Sequence, residues 1–588
     1  MALASFMYYR FPLRLLGPTA RRSFATRPTI APEASPDQIF RDAPLNREGT
    51  SIGTEDEWEA AVLAQERGND QDDGLDVDVA IDDASLFASN RLGQVVLPTP
   101  LTEAVNSLLK HSHGPSIRST ALRFYESLRM KSKGKPSETP MPPSKEFTHI
   151  ECDAYIAGLM PQLYTSVYIT LLELRKRLGE EWQPKRILDC GVGPGTAALA
   201  FQEVFVTTNP SRPSPLPHMT VIETNDELRH RTEKLWSMIA SSIHGESTKE
   251  KDYKIFPTLG SRNHKYDVVL APHVLGECKG RPSARDVLVQ ELWERVAPDG
   301  VLLLLERGNP LGFEQVARAR QLLLRSANAE PASTVGKREK HPDAGVGAHI
   351  IAPCPHDGAC PLFLNGHDPT RRSWCHFSQR LQRPDFLQRT KHAKENIEDV
   401  GYSYILIRKG SRRPAFPGPR PPRSAETGAP DPRTELGEGM DHRDIVSASY
   451  HWSRIILPPL KRHKHVLLDI CSSPLDVLST ASLDAAPRIT KHSRRQESVV
   501  YPDLHDGAGE GEDEDPVSSE PRPRIQRTTV PKSQGQVEYR FARKSHWGDL
   551  LPFRGKTIVD RVESPGASVK GDDKKGGKRR GGARRAQQ

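Results

Sequence analysis

The stretch Ile187–Phe201, ILDCGVGPGTAALAF, decides the fold of this chain. A short apolar run ends in Asp189, glycines alternate at Gly191, Gly193 and Gly195, and an Ala-rich segment of helical character follows. Alternating glycines let the backbone turn sharply and approach a ligand closely, and a helix N-terminus presents free N–H groups. The stretch predicts a strand, a glycine turn and a helix. A G-x-G-x-G pattern alone also occurs as a plain turn in unrelated α/β proteins.

Three further segments predict the rest of a sheet. His218–Glu223 is an apolar strand ending in an acid, and Tyr266–Leu270 and Gly300–Glu306 are apolar enough to be covered on both faces. Val287–Val296, between the last two, has the pattern of an amphipathic helix. Strands that alternate with helices indicate an α/β fold with a doubly wound parallel sheet. Glu223 is then placed to hydrogen-bond ribose hydroxyls, although it follows Asp189 by more than the usual spacing of about 20 residues.

This order of motifs resembles the class I S-adenosylmethionine-dependent methyltransferases. The resemblance implies that S-adenosylmethionine binds through Asp189, Gly191, Gly193, Gly195 and Glu223. Dehydrogenases are the alternative within this fold, but they show G-x-G-x-x-G, and the chain has threonine at the last of these positions.

The sequence assigns no catalytic residue. After the YDVVL strand the chain reads Ala-Pro-His-Val, where amino-directed methyltransferases carry Asn or Asp followed by Pro-Pro and an aromatic residue. His273, Glu277 and Glu306 are expected at the mouth of the sheet, where we interpret them as polar loop residues. Whether the protein is an enzyme therefore stays open at this point.

The N-terminal segment Met1–Thr29 contains five arginines and no acid. It is typical of a mitochondrial transit peptide, which we expect to span residues 1–27 and to direct the protein to the matrix. We expect no membrane span, because no segment approaches the roughly 20 apolar residues that one requires.

Three of the seven cysteines, Cys354, Cys360 and Cys375, lie close together among Pro, Gly and His. Disulfides are rare in reducing compartments, so clustered thiolates indicate a metal ion or an iron–sulfur cluster. The spacing C-x5-C-x14-C differs from the C-x2-C knuckle of many zinc sites. Four nearby histidines keep a mixed zinc site as the alternative. They are His349, His356, His367 and His376.

Several longer motifs resemble the methyltransferase-like proteins of the mitochondrial ribosomal small subunit. They include APCPHDGACP, VGYSYILIRKG, WSRIILPPLKRHKHVLLDIC and the C-terminal TVPKSQGQVEYRFARKSHWGDLLPF. In that family the clustered cysteines and a later one are implied ligands of a 4Fe–4S cluster, here Cys354, Cys360, Cys375 and Cys471. The resemblance implies a ribosomal protein or assembly factor that binds small-subunit rRNA and ribosomal proteins and supports mitochondrial translation. An active rRNA methyltransferase is the alternative. No DNA partner is expected.

Composition predicts one large folded body with disordered arms, because 50 Pro and 43 Gly accompany only 36% hydrophobic residues. PPLKRHKH and YRFARKSHWGD combine cations with aromatic residues, which suits phosphate contact and base stacking. The expected organisation is a transit peptide (1–27), a disordered acidic segment (28–93), N-terminal helices (94–180), a methyltransferase-like domain (181–410) with a cysteine-rich insertion (349–377), a linker (411–446), a small β-rich unit (447–555) with a disordered insertion (472–523), and a basic tail (556–588).

Overall fold

The computed structural model describes residues 82–90, 92–128, 141–179, 181–206, 217–244, 253–278, 282–327, 347–363, 374–410, 412, 442–472 and 524–560. The predicted transit peptide and positions 473–523 of the predicted insertion lie outside these residues, as do most of the acidic segment, of the linker and of the basic tail. The described parts of the last three segments include regular structure: Asp83–Ala88 is a helix, a second helix begins at His442, and Thr557–Asp560 is a strand. In this part of the chain no helix combines the length and apolarity that a bilayer crossing requires.

The described elements alternate between helices and strands for most of the chain. The helices are α1 (Asp83–Ala88), α2 (Thr99–Leu109), α3 (Gly114–Leu128), α4 (His149–Gly158), α5 (Met160–Leu178), α6 (Thr196–Phe205), α7 (Asp226–His244), α8 (Val274–Glu277), α9 (Pro282–Glu294), α10 (Pro310–Ala327), α11 (Asp385–Lys391), α12 (His442–Ser449) and α13 (Gln536–Lys544). The strands are β1 (Arg186–Asp189), β2 (His218–Ile222), β3 (Tyr253–Phe256), β4 (Tyr266–Pro272), β5 (Val296–Arg307), β6 (Ala348–Ala352), β7 (Phe377–Gln382), β8 (Ile397–Lys409), β9 (Ser453–Ile455), β10 (Leu460–Lys461), β11 (His465–Ser472), β12 (Arg524–Pro531), β13 (Leu550–Leu551) and β14 (Thr557–Asp560).

The larger sheet has the order β3-β2-β1-β4-β5-β8-β6, and β7 pairs with β8. Strands β1 to β5 are parallel, and β8 runs antiparallel to β5. The order reverses direction between β1 and β4, which is the crevice where doubly wound sheets bind ligands. This topology confirms the predicted α/β class and corrects the expectation of a purely parallel sheet, since β8 turns the far edge into a mixed one.

Strand β5 shows why the sheet is buried on both sides. Val301, Leu303 and Leu305 pack into one core, and Leu302 and Leu304 pack into the core on the opposite face. Successive side chains on a strand point to opposite faces, so an unbroken apolar run fills both layers.

Two local features fix where elements begin and bend. The segment Glu151–Arg177 is divided between two helices, α4 and α5, and Pro161 lies in the first turn of the second one, where its missing N–H has no cost. The sequence Pro-Asp-Gly at positions 298–300 lies inside β5, and Asp299 takes a left-handed φ of 59° there.

The smaller sheet has the order β13-β9-β11-β12-β14, with β10 paired to β11. Strands β11 and β12 pair from His465 with Pro531 to Ser472 with Arg524, at the two ends of the predicted insertion. Helix α13 contributes Tyr539 to the core of this sheet, together with Val466 and Leu468 of β11.

A buried ion pair links the two sheets. Arg454 of β9 pairs with Glu173 of helix α5, and both side chains are almost fully buried. Arg454 Nε also donates to the Pro353 carbonyl at 3.0 Å and Nη1 to the Gly548 carbonyl at 2.6 Å. Tyr404 of β8 donates to the second oxygen of Glu173. The guanidinium of one residue in the smaller sheet therefore bonds to helix α5, to the loop after β6 and to the segment just before β13.

We expect Arg454→Met to lower the free energy of unfolding by about 3–5 kcal/mol, because it leaves a buried carboxylate without its main partner. Urea unfolding followed by tryptophan fluorescence measures this change. Arg443→Met is the matched control, since it breaks an exposed pair with Glu181 and should change stability little. Equal effects of the two substitutions would contradict the assigned role of Arg454.

Candidate functional site

The glycine turn, Gly191–Gly195, is held by the acid that precedes it. Asp189 accepts hydrogen bonds from the Gly191 and Ala198 backbone N–H groups at 2.9 and 2.8 Å. Gly193 and Gly195 have φ angles of 112° and 69° in the left-handed region that favours glycine. Burial raises the pKa of Asp189 to about 6. The turn is thus a defined structure before any ligand binds.

Side chains of the protein itself occupy the space that the glycines leave. Tyr155 donates to the Val192 carbonyl at 3.0 Å, and a Cβ on Gly193 would lie 2.8 Å from the tyrosine ring. Trp236 donates to the Pro194 carbonyl, and a Cβ on Gly195 would lie 2.8 Å from its indole nitrogen. The fold itself therefore requires these glycines, so their pattern is not by itself a sign of a cofactor.

Glu223 follows β2 at the same edge of the sheet as Asp189. It accepts a hydrogen bond from the Asn225 N–H at 2.9 Å and is almost completely buried. Burial, reinforced by Glu277 and Asp189, raises its pKa to about 8. The carboxyl ends of adjacent parallel strands therefore bring together two acids at the edge where such sheets bind nucleotides.

Two of the three residues expected at the mouth of the sheet, Glu277 and Glu306, belong to a helix and a strand rather than to loops. Glu306 is buried in β5 and accepts the N–H groups of Leu275 and Gly276 at 2.8 and 3.2 Å, which anchors helix α8. Burial raises its pKa to about 7. Glu277 accepts the Ser144 N–H at 2.6 Å. His273 lies in the turn between β4 and α8, is half-buried and has a φ of 59°. Sequence reasoning missed that Glu306 and Glu277 accept hydrogen bonds from backbone N–H groups, because a polar residue near a strand end gives no sign of whether it faces solvent or the backbone.

All four predicted cysteine ligands line one cavity, here called the cysteine cavity. Cys354 follows β6, Cys360 lies in the next turn, Cys375 precedes β7, and Cys471 lies near the end of β11 in the smaller sheet. Other lining residues include Phe313, Arg320, Ser403, Arg454 and Ile525. The structure thus brings together residues that are far apart in the chain, from both sheets.

The loop that carries Cys354 and Cys360 is fixed through its backbone. Arg320 Nη2 donates to the His356 carbonyl at 2.9 Å, and Asp357 accepts the Ile350 N–H at 2.8 Å. Arg412 binds both oxygens of Asp357, at 2.6 and 2.7 Å. Cations and the sheet therefore hold this loop in place from several sides.

Two thiols of the cavity, those of Cys375 and Cys471, are hard to ionise in the absence of a cation. Burial raises the pKa of Cys375 and of Cys471 well above the usual value, and the neighbouring thiols Cys354 and Cys360 raise both further. A coordinating metal reverses this, because it deprotonates the thiol it binds. Among the described residues no three His, Cys, Asp or Glu side chains are gathered closely enough to hold a single ion. The donor set is four thiols around a shared space, which matches the four-cysteine ligation of 4Fe–4S clusters.

The histidines of the alternative zinc site occupy different places. His349 bonds to the Gly410 carbonyl, and the ring of His376 stacks on Trp374. His356 lies in the cavity wall, with Nε2 3.4 Å from Sγ of Cys471. His367 lies outside the described residues. Two of the other cysteines bond within the fold: Cys152 contacts Asn225, and Cys190 contacts the Leu270 carbonyl.

The two segments predicted to contact RNA meet at one end of the smaller sheet. Tyr539 donates to the His463 carbonyl at 3.4 Å, and the Lys532 N–H donates to the Lys464 carbonyl at 2.9 Å. The neighbouring turn at Arg554 accepts a hydrogen bond from Gln534. Five exposed cations lie on these three turns, and we call them the basic edge. They are Arg462, Lys464, Lys532, Arg554 and Lys556.

The aromatic residues of these segments do not join the basic edge. Tyr539 and Phe541 are buried in the core of the smaller sheet, and the ring of Trp547 contacts that of His376 at 4.3 Å. Helix α13 is strongly amphipathic, so its aromatic side chains face inward and its cations face outward. The exposed cations can contact phosphates, but Tyr539 and Phe541 are buried and not available for base stacking.

Comparison with known proteins identifies a family model and several relatives that this chain matches. Residues 149–481 match the family model described as mitochondrial small ribosomal subunit Rsm22. The chain is 31% identical to Rsm22-cox11 tandem protein 2, mitochondrial, of Schizosaccharomyces pombe, over 81% of this chain and 53% of that protein. It therefore spans about half the length of that relative. Ribosome assembly protein RSM22, mitochondrial, of Saccharomyces cerevisiae is 25% identical over 64% of this chain and 70% of its own length.

A human relative, ribosome assembly protein METTL17, mitochondrial, is 23% identical over 70% of this chain and 66% of its own length. The solved structure of the plantazolicin methyltransferase BpumL in complex with SAH matches 53% of this chain and 95% of that chain, at 14% identity. Its TM-score of 0.23 is too low to carry an argument, so the fold assignment rests on the strand order. Because the family model matches more than half of its residues, the chain belongs to the mitochondrial small ribosomal subunit Rsm22 family.

Proposed function

We propose that this protein acts in the mitochondrial matrix as a small-subunit ribosomal protein or assembly factor. In this role it holds a 4Fe–4S cluster in the cysteine cavity and contacts small-subunit rRNA through the basic edge. The assembly role rests on the family and on relatives named as mitochondrial ribosome assembly proteins. The single observation that carries the cluster is the convergence of four cysteines, distant in sequence, on one cavity.

The residues present fit a cluster in their chemistry. Four thiols supply the full ligand set, and the apolar residues Phe313, Ala317 and Leu362 shield that side of the site from water. Two buried cations, Arg320 and Arg454, line the same cavity and offset the negative charge that four thiolates introduce. A bound cluster supplies iron–thiolate bonds, and the chain supplies orientation, shielding and charge balance. Because Cys471 belongs to the smaller sheet, these bonds tie that sheet to the larger one.

Single Cys→Ser substitutions at positions 354, 360, 375 and 471 should each remove or strongly reduce bound iron and sulfide. Anaerobic purification followed by iron and sulfide analysis, with the broad absorbance near ~400 nm typical of such clusters, measures this loss. Cys152→Ser and Cys278→Ser are the controls and should keep the full content. If the wild type contained stoichiometric zinc and no iron or sulfide, the cluster assignment would be wrong and the site would be a zinc site.

The basic edge supports RNA as the polyanionic partner. Its five cations are exposed and lie on three adjoining turns. Lysine and arginine that neutralise phosphates release counterions, which makes binding salt-dependent and largely independent of sequence. The edge belongs to the smaller sheet, whose position depends on the cysteine cavity.

Replacing Arg462, Lys464 and Lys532 together by Gln should weaken binding of the full chain to small-subunit rRNA. The slope of log affinity against log salt should fall by about 2–3, since each phosphate contact contributes roughly 0.7–0.9. Filter binding over a range of salt concentrations measures the slope. The matched control changes three exposed cations elsewhere, Lys110, Lys254 and Lys394, to Gln. The same loss in both triple variants would rule out a role specific to the basic edge.

We also propose that S-adenosylmethionine binds at the glycine turn with Glu223 on its ribose. The supporting observation is the placement of Asp189 and Glu223 at the ends of adjacent parallel strands. Tyr155 and Trp236 cover one side of the turn, so the ligand must approach from the crevice. We propose no methyl transfer, because His273 follows β4 at the position where amino-directed methyltransferases carry an acceptor motif. The alternative is an active rRNA methyltransferase. Mass spectrometry of small-subunit rRNA from cells lacking the protein tests it, because loss of one modified nucleotide would support methyl transfer.

S-adenosylmethionine binding should tighten between pH 7 and pH 9. Burial keeps Glu223 protonated until the pH passes its raised pKa of about 8, and only the ionised carboxylate is a charge-assisted acceptor for the ribose. We expect roughly a fivefold gain, on the order of 1 kcal/mol. Isothermal titration of the wild type and of Glu223→Gln measures it, and the Gln variant should lack the pH dependence. No heat at millimolar ligand in either protein would contradict cofactor binding.

A further inference from the structure

We propose that His356 is not a metal ligand but donates a hydrogen bond from Nε2 to the sulfur of Cys471, with Arg320 fixing its tautomer. This inference rests on the 4Fe–4S cluster of the proposed function and assigns two further residues to it. Together Arg320 and His356 form a chain of contacts that ends on the one cysteine contributed by the smaller sheet.

The geometry places His356 between a cation and a thiol. Its imidazole is almost completely buried, with Nε2 3.4 Å from Sγ of Cys471 and Nδ1 3.4 Å from Nη2 of Arg320. The same guanidinium nitrogen donates to the His356 backbone carbonyl at 2.9 Å, so the arginine is fixed relative to the ring. The fold therefore fixes the partner of each ring nitrogen: Cys471 for Nε2 and Arg320 for Nδ1.

The chemistry of arginine decides which ring nitrogen carries the proton. A guanidinium donates only, so the nitrogen that faces it must present a lone pair. Nδ1 of His356 is thus the acceptor, and the single proton of the neutral ring lies on Nε2, toward Cys471. A metal-bound Nε2 would instead have to be free of its proton.

Arg320 also has a donor that is not yet used. It belongs to helix α10, its side chain is 5% exposed, and it lines the cysteine cavity. Its Nε finds no acceptor among the described residues. A buried donor without a partner is costly, and sulfur within the cavity can accept it. His356 and Arg320 therefore bring N–H groups and one positive charge to the sulfur side of the site.

Hydrogen bonds to sulfur and nearby positive charge stabilise the more negative, reduced form of a cluster and so raise its reduction potential. His356→Leu should keep the cluster but shift its midpoint potential downward. We expect a change of about tenfold in the ratio of oxidised to reduced cluster at a fixed potential, which is 59 mV for a one-electron couple. His356→Gln, which keeps an N–H donor, should recover part of the shift.

The test uses anaerobically purified full-length protein, iron and sulfide analysis, and a redox titration followed by electron paramagnetic resonance. His349→Leu is the control, because His349 is buried but bonded to the Gly410 carbonyl. Arg320→Lys is a second variant, which keeps the charge but not the planar fork, and should shift the potential in the same direction by less. If His356→Leu does not fold, the midpoint potential of Arg320→Lys tests the proposed hydrogen bond in its place.

Three results would overturn the inference. An unchanged potential in His356→Leu and Arg320→Lys, with the cluster intact, removes the hydrogen bond and leaves the proposed function standing. Loss of iron in His356→Leu, with iron retained in Cys471→Ser, makes His356 the ligand. Wild-type protein without iron or sulfide rejects the proposed function, and this inference with it.

Discussion

The ion pair between Arg454 and Glu173 is the constraint on which the rest of the structure depends. The guanidinium of Arg454, a residue of the smaller sheet, bonds to helix α5, to the carbonyl next to Cys354 and to the carbonyl of Gly548 just before β13. Burying two charges costs several kcal/mol per ion unless every donor and acceptor is satisfied. The pair is therefore compatible with only one docking of the two sheets, and the cysteine cavity is formed by that docking.

A metal site built across such a junction has a direct energetic consequence. Ligand binding that exists only in the folded state adds its free energy to folding. In the proposed function this free energy acts on the contact between the sheets, because three cysteines come from one side and Cys471 from the other. The basic edge lies on the smaller sheet, so the surface proposed for rRNA is positioned by the same contact. The cluster is then a structural element, and no chemical step is assigned to it.

The sequence predicted the parts of the fold that depend on short-range pattern. Apolar runs such as those of β4 and β5 are visible because both faces of the sheet are covered, and the glycine turn is visible because only glycine tolerates its φ angles. The sequence did not show that β8 runs antiparallel to β5, because the direction of a strand depends on its connections and not on its own residues.

The site was predictable only in part. Clustering predicted a metal site at Cys354, Cys360 and Cys375, whereas Cys471 was first identified through the family resemblance. Sequence reasoning missed Arg320, Arg454 and Tyr155, because a cation or a tyrosine on an apolar helix or strand gives no local sign of the distant group it contacts. The aromatic residues Tyr539 and Phe541 were assigned to the surface because composition does not show which face of α13 they occupy.

Hydrogen exchange measured by mass spectrometry, with the cluster intact and after its anaerobic removal by chelation, tests the central claim most directly. The claim is that the cysteine cavity staples the smaller sheet to the larger one. It predicts that amides of β9, β11 and β12 lose protection on removal, while those of β1, β4 and β5 keep theirs. Unchanged protection of β9, β11 and β12 after complete loss of iron would contradict it.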